Sequence, residues 1–111
     1  MENKARTRLV GMLGFAMRAG KVIIGTELVC SSMARRGRAR PNIVLISSTA
    51  SDATREKVVN KAAFYGIEAI AVELDGAELG RILGKLYAPA TVAIADERFA
   101  NEIRSALTEI Q

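Results

Sequence analysis

The sequence predicts a layered α/β/α sandwich around a small sheet, and three observations carry that expectation. Short apolar runs without a charge recur at residues 43–46 (IVLI), 69–72 (AIAV) and 91–95 (TVAIA). Such runs read as strands buried on both faces. Stretches with apolar residues at helical spacing alternate with them, which calls for helices above and below one sheet. Glycines and short polar residues stand at nearly every junction, where helices start and stop. At 111 residues, residues 1–111 are expected to form a single domain, large enough to bury about two-thirds of its unfolded surface.

Residues 4–17 read as the first helix. Leu9, Leu13 and Ala16 share one face, with Met12 and Met17 beside them. Gly11 and Gly14 weaken an isolated helix and are expected to mark close packing against a neighbour. Ala19-Gly20 ends it. Residues 21–24 (KVII) form a short strand closed by Gly25. Residues 26–36 read as a second helix, with Val29 and Met33 stacked at i, i+4 and Gly37 as its stop. Pro41-Asn42 turns the chain into the strand at 43–46.

The polar loop 47–51 (SSTAS) supplies an N-cap, Ser51 or Asp52, for a helix over 53–65. Val58, Val59, Ala62, Ala63 and Tyr65 are expected to face inward, and Gly66 ends this helix. Residues 69–72 follow as a third buried strand. Asp75 and Glu78 resemble a capping box that starts a short helix over 77–83, stopped by Gly84. Residues 91–95 are the fourth strand. Asp96 caps the last helix, whose Phe99, Ile103, Ala106, Leu107 and Ile110 form one apolar stripe.

Charge is distributed unevenly. Nine of the 16 basic residues lie in the first 40 positions, so residues 1–40 carry +7 and the remaining 71 carry −3. With a pI near 9.6, nucleic acid is the leading class of partner, and an anionic membrane a distant second. The few aromatics, Phe15, Phe64, Tyr65, Tyr87 and Phe99, argue against an aromatic stacking sheet for single strands. The lone Cys30 allows no disulfide within the chain, the charged start MENKARTRLV is no signal peptide, and no run is long enough to span a membrane. A cytoplasmic location is therefore expected.

Several chemistries find no support. Histidine is absent, which removes the commonest general base and metal ligand. A Ser-His-Asp triad cannot be assembled, and no zinc site is readable. Cys30 reads as a small buried hydrophobe with no base to activate it. Gly80-Arg-Ile-Leu-Gly84-Lys85-Leu86 is one residue short of a P-loop and has Leu86 where Ser or Thr would hold magnesium. Ser47, Ser48 and Thr49 follow a buried strand but are explained equally well as a loop and helix cap. No enzyme, cofactor or metal is expected.

One constellation does carry chemistry. Lys21 to Glu27 places a cation, a short strand, Gly25 and a helix start within seven residues. Glycine allows φ > 0 or close approach of a ligand. The first turn of the Thr26 helix offers free backbone N–H groups and a positive dipole end, which suit a phosphate or a base edge. Thr26 caps the helix or donates to RNA. Glu27 either accepts from a base or simply complements the dipole. Arg35, Arg36, Arg38 and Arg40 crowd the far end of the same helix, more cations than capping requires. Some are expected on phosphates.

These motifs come in a recognisable order: GK at Gly20-Lys21, GTE at 25–27, RRG at 35–37, IVLISS, ELG at 78–80, GK at Gly84-Lys85 and VAIADERFA at 92–100. The ordered set resembles the kink-turn RNA-binding superfamily of ribosomal proteins, more closely its small bacterial ribosomal-protein-like members. The resemblance implies a mixed four-stranded sheet between helices. It also implies recognition of a sharply bent RNA internal loop with tandem sheared G·A pairs. On that resemblance Thr26, Glu27 and Leu28, with Ser31 one turn on, read the guanines. The loop that begins at Lys85 would pack its apolar residues Leu86, Tyr87, Ala88 and Pro89 on an extruded nucleotide. From their charge, Lys21 and some of Arg35, Arg36, Arg38 and Arg40 are expected to hold phosphates. Glu27-Leu28 and Ser31 stand where strongly binding relatives carry Asn-Glu or Lys-Gln and a helical Lys. That departure motivates a second reading: a protein-interaction module of the ribosome or transcription machinery with weakened RNA readout.

Overall fold

The computed structural model describes residues 2–110, with side chains from 4 to 109. Among them, α1 (Glu2–Arg18), β1 (Val22–Ile24), α2 (Thr26–Ser32), β2 (Ile43–Ile46), α3 (Asp52–Tyr65), β3 (Glu68–Ala71), α4 (Gly76–Ile82), β4 (Thr91–Ile94) and α5 (Glu97–Ile110) follow in order. A 3₁₀ turn over Gly37–Ala39 precedes β2. The strands form one mixed sheet in the order β1-β4-β2-β3. The β2–β3 pair, joined through α3, is parallel, and β4 pairs antiparallel with both β1 and β2. The α/β/α expectation holds.

Strand periodicity of two explains the layers. Ile43 and Leu45 of β2 and Val92 and Ile94 of β4 point to one side, against Leu9, Leu13 and Ala16 of α1, Leu79 of α4, and Ile103 and Ala106 of α5. Val44, Ile46 and Ala93 point to the other, against Val29 of α2, Met33 just after it, and Val58 and Ala62 of α3. Both central strands are buried at all four positions. Local chemistry sets the ends. The Ser51 hydroxyl accepts from the Thr54 N–H, Asp75 and Glu78 form the complete capping box, and Asp96 accepts from the Phe99 N–H at 2.9 Å.

Four expectations are corrected. The second helix stops at Ser32, with Met33 as C-cap, rather than at residue 36. The Ser31 and Ser32 hydroxyls donate to the carbonyls of Leu28 and Val29, and the chain tightens as Arg35 N–H bonds Ser32 O. Such local bonds offer the backbone an alternative to further helix. The third strand lies at the sheet edge, with its end residues exposed and its middle ones half-buried. Val59 and Ala63 face outward, because α3 shares its side of the sheet with α2 and needs only the narrow Val58–Ala62 line. Gly11 is exposed, and a side chain there would meet nothing within 4 Å, so neither it nor the half-buried Gly14 marks a close helix contact. The Ile110 side chain of the α5 stripe lies outside the described residues.

Candidate nucleic-acid interface

The corner between β1 and α2 is built on Gly25, whose φ of 105° and ψ of 140° belong to a region nearly closed to other residues. Gly25 is itself the N-cap, so Thr26 does not cap the helix. Instead the Thr26 and Thr91 hydroxyls are 2.9 Å apart, and the Gly25 N–H donates to Thr91 O at 2.9 Å. The buried Thr91, at the start of β4, thus pins the corner to the sheet. The corner remains open: a side-chain carbon built on Gly25 would meet nothing within 4 Å. At seven residues, α2 is only two turns. The anion-attracting part of the corner is therefore its neighbouring side chains more than an aligned dipole.

Thr91 also ends the loop that forms the opposite wall. At the end of α4, Gly84 adopts φ 73°. Its N–H bonds Arg81 O while Lys85 N–H bonds Gly80 O at 2.8 Å, a Schellman ending that fixes where the loop leaves. A side chain on Gly80 would collide with the Tyr87 carbonyl oxygen, so the loop lies directly on α4. Its tip is pushed outward: Leu86 is fully exposed and Tyr87 is 56 % exposed. Ala88 is also exposed, but Pro89 is buried. Pro89 is therefore corrected from a contact surface to a residue that folds the loop back toward β4.

Beside the corner runs an open groove of about 450 Å³, which Gly25 and Thr26 adjoin but do not line. Met17, Val22, Ile23 and Ile24 make its floor, Leu28 and Tyr87 its sides, and Arg35 and Lys85 its charged rim. Leu28, Arg35, Lys85 and Tyr87, singled out in the sequence from segments 50 or more residues apart, meet here. The sequence reading missed the floor and Thr91. The signal available for the floor was that a three-residue first strand makes a poor central strand; in the structure it is a half-buried edge.

Lys21 does not join them. It sits at the other end of β1 from Gly25, about 13 Å away by strand rise, in a cleft with Gly37, Arg38, Asn42, Asp96 and Glu97. The four arginines fan out rather than crowd one helix end. Arg35 reaches the groove and Arg38 the Lys21 cleft. Half-buried Arg40 bonds the Tyr65 carbonyl and serves the fold, while Arg36 is exposed. Among the described residues, no carboxylate forms an ion pair with Arg35, Arg36 or Arg38.

Glu27 does have a partner. Its carboxylate accepts from Lys57 Nζ of α3 at 2.8 Å. That hydrogen bond and the ammonium charge hold the Glu27 carboxyl below its ordinary value, with Lys61 adding to the effect. The same contact raises the Lys57 pKa. Ser31 is exposed, and its hydroxyl donates to Leu28 O at 3.2 Å. An apolar floor with a cationic rim suits a flat, weakly polar body attached to an anionic backbone, which describes an unpaired nucleotide.

Comparison with known proteins gives the same family as the ordered motifs. The model of the Ribosomal protein L7Ae/L30e/S12e/Gadd45 family matches residues 7–104. The chain belongs to that family. It is 40 % identical over 96 residues to the RNA-binding protein YlxQ of Bacillus subtilis (strain 168), covering 86 % of this chain and 91 % of that protein. It is 32 % identical over 105 residues to the RNA-binding protein YlxQ of Enterococcus faecium, covering 94 % and 95 %. Among solved structures, a protein of unknown function from Bacillus halodurans C superposes with a TM-score of 0.81 at 25 % identity, covering 90 % of this chain and 96 % of that one. The Giardia lamblia 15.5kD RNA binding protein superposes with a TM-score of 0.71 at 13 % identity, covering 96 % and 88 %, which speaks for the fold.

Proposed function

We propose that this member of the family is a non-catalytic, cytoplasmic RNA-binding module that seats a kink-turn-like RNA, ribosomal or regulatory, against the Gly25 corner. The observation that carries this reading is the groove in which Leu28 and Arg35 face Lys85 and Tyr87 across an aliphatic floor. The bent strand enters at Gly25, where the missing side chain admits a close approach. Thr26, Glu27 and Leu28 lie against the base edges, with Ser31 one turn on. Leu86 and Tyr87, with Ala88 beside them, cover an extruded nucleotide, and Arg35, Arg36 and Lys85 neutralise phosphates. The Lys21–Arg38 cleft holds backbone further along the RNA. The relatives named for RNA binding support the choice of partner class.

Glu27 must exchange Lys57 for a base donor, an exchange of one charge-assisted bond for another that costs little at an exposed site. A titration of kink-turn RNA against the same RNA with its G·A pairs broken, at two salt concentrations, tests the reading. It predicts a loss specific to the broken pairs at both salts. Equal binding that collapses with salt would leave only electrostatics and overturn it.

The exposed Leu28, Leu86 and Tyr87 also favour a second reading, a protein-docking surface on the ribosome or transcription machinery. A protein partner retained after nuclease digestion supports that reading over the first.

A further inference from the structure

Beyond the groove, α3 presents a second strip. Lys57, Lys61 and Phe64 stand at i, i+4 and i+7, so they share one flank of the helix, and all three are exposed. The buried line of the same helix runs through Val58 and Ala62, which turns this flank toward α2 and the solvent. Phe64 is 81 % exposed and stands edge-on to Tyr65, ring centroids 4.9 Å apart. A large apolar ring left this open gives the fold little, and polar alternatives would serve an ordinary helix surface better.

The strip adjoins the interface at its Lys57 end and the segment between α2 and β2 at its Phe64 end. At one end Lys57 bonds Glu27 on the first turn of α2. At the other, Arg40 of the arginine-rich segment bonds the carbonyl of Tyr65. Seven residues of helix carry the strip about 10 Å. Two cations followed by an open aromatic ring match a strand whose phosphates are held and whose base stacks.

We propose that Lys57, Lys61 and Phe64 bind single-stranded RNA leading out of the bend, with the lysines on consecutive phosphates and a base stacked on Phe64. The proposal rests on the preceding reading and adds a second contact to it. The full chain is titrated with kink-turn RNA, bare or carrying a six-nucleotide single-stranded extension at either end. Wild type should bind one extended RNA at least about 5-fold more tightly than the bare one, consistent with a single stacked base. Phe64→Ala and Lys61→Gln, both surface changes, should each erase most of that gain while leaving the bare RNA's affinity within about 2-fold. An extension that adds nothing, or a gain that survives in both variants, overturns the proposal even if the bare RNA binds well. Failure of wild type to bind the bare RNA overturns the reading beneath it as well. A gain lost in the variants but equal for a double-stranded extension assigns the strip to phosphate contact alone and overturns the stacking.

Discussion

Arg6 and Arg8 of α1 and Arg35 and Arg36 after α2 lie in the same basic third of the sequence, yet the fold treats them in opposite ways. Arg6 pairs with Glu78 of α4. Arg8 bonds Glu109 at 3.0 Å and the Ser105 hydroxyl at 2.9 Å on α5. Arg6 and Arg8 are thus paired with acids from the second half of the chain. Arg35 and Arg36 are exposed with no carboxylate partner among the described residues. The +7 of the first 40 residues therefore overstates the binding face, because part of it closes the protein on itself. Surface pairs of the first kind contribute about 0–1 kcal/mol each to stability. Free guanidinium groups contribute to a polyanion's affinity through counterion release.

The difference is sharpened first at the corner beside the free arginines. Gly25→Asp should weaken kink-turn RNA binding by more than about 100-fold, roughly 2.8 kcal/mol, by placing a carboxylate where the RNA backbone passes. The strained φ should also cost about 1–3 kcal/mol of stability, so circular dichroism must show a folded variant before the titration is read. Binding equal to wild type at moderate salt would remove the corner from the interface. Next come two aromatics of nearly equal exposure. Tyr87 lines the groove, whereas Phe15 on α1 carries the Arg18 guanidinium 4.8 Å above its ring. Tyr87→Ala should cost about 1–3 kcal/mol of RNA binding, the range for a base stacked on an aromatic ring. Phe15→Ala should change affinity by less than about 2-fold, as expected for a surface change away from the ligand. Equal losses in the two would mean that the RNA does not distinguish these ends of the molecule.

The sequence made much of this legible, and the misses share a cause. The caps at Ser51, Asp75 and Asp96 and the stop at Gly84 are local, and local chemistry reads directly from neighbouring residues. The ELG motif has a physical reason as well, since only glycine at position 80 lets Tyr87 lie on α4. What failed depended on partners far along the chain. Four arginines read as one cluster because sequence distance was the only distance available, and the early end of α2 scattered them. AIAV reads like IVLI, but only the sheet order makes β3 an edge. Glu27 was a base reader or a dipole partner in the sequence; Lys57, 30 residues on, could not be seen beside it.

That ion pair gives the smallest expected effect. The Lys57 hydrogen bond lowers the folded-state pKa of Glu27 below its ordinary 4.5. Its contribution to stability is thus present above the ordinary carboxylate value and is lost as pH falls through the lowered one. An NMR titration of the Glu27 carboxyl should give a midpoint below 4.5, moving up in Lys57→Gln. An unchanged midpoint would mean that the pair is not held in solution.

The contrast between spent and free cations is tested most directly by the salt dependence of kink-turn RNA binding in two double variants. Each phosphate released from contact lowers the slope of log affinity against log salt by about 0.7–0.9. Arg35→Gln/Arg36→Gln should reduce it by about 1.5 units with stability unchanged, because both side chains are exposed. Arg6→Gln/Arg8→Gln should leave the slope as in wild type and lower the unfolding free energy by about 1 kcal/mol. Equal slopes in the two variants, or a slope that falls only when the α1 arginines are removed, would contradict the account.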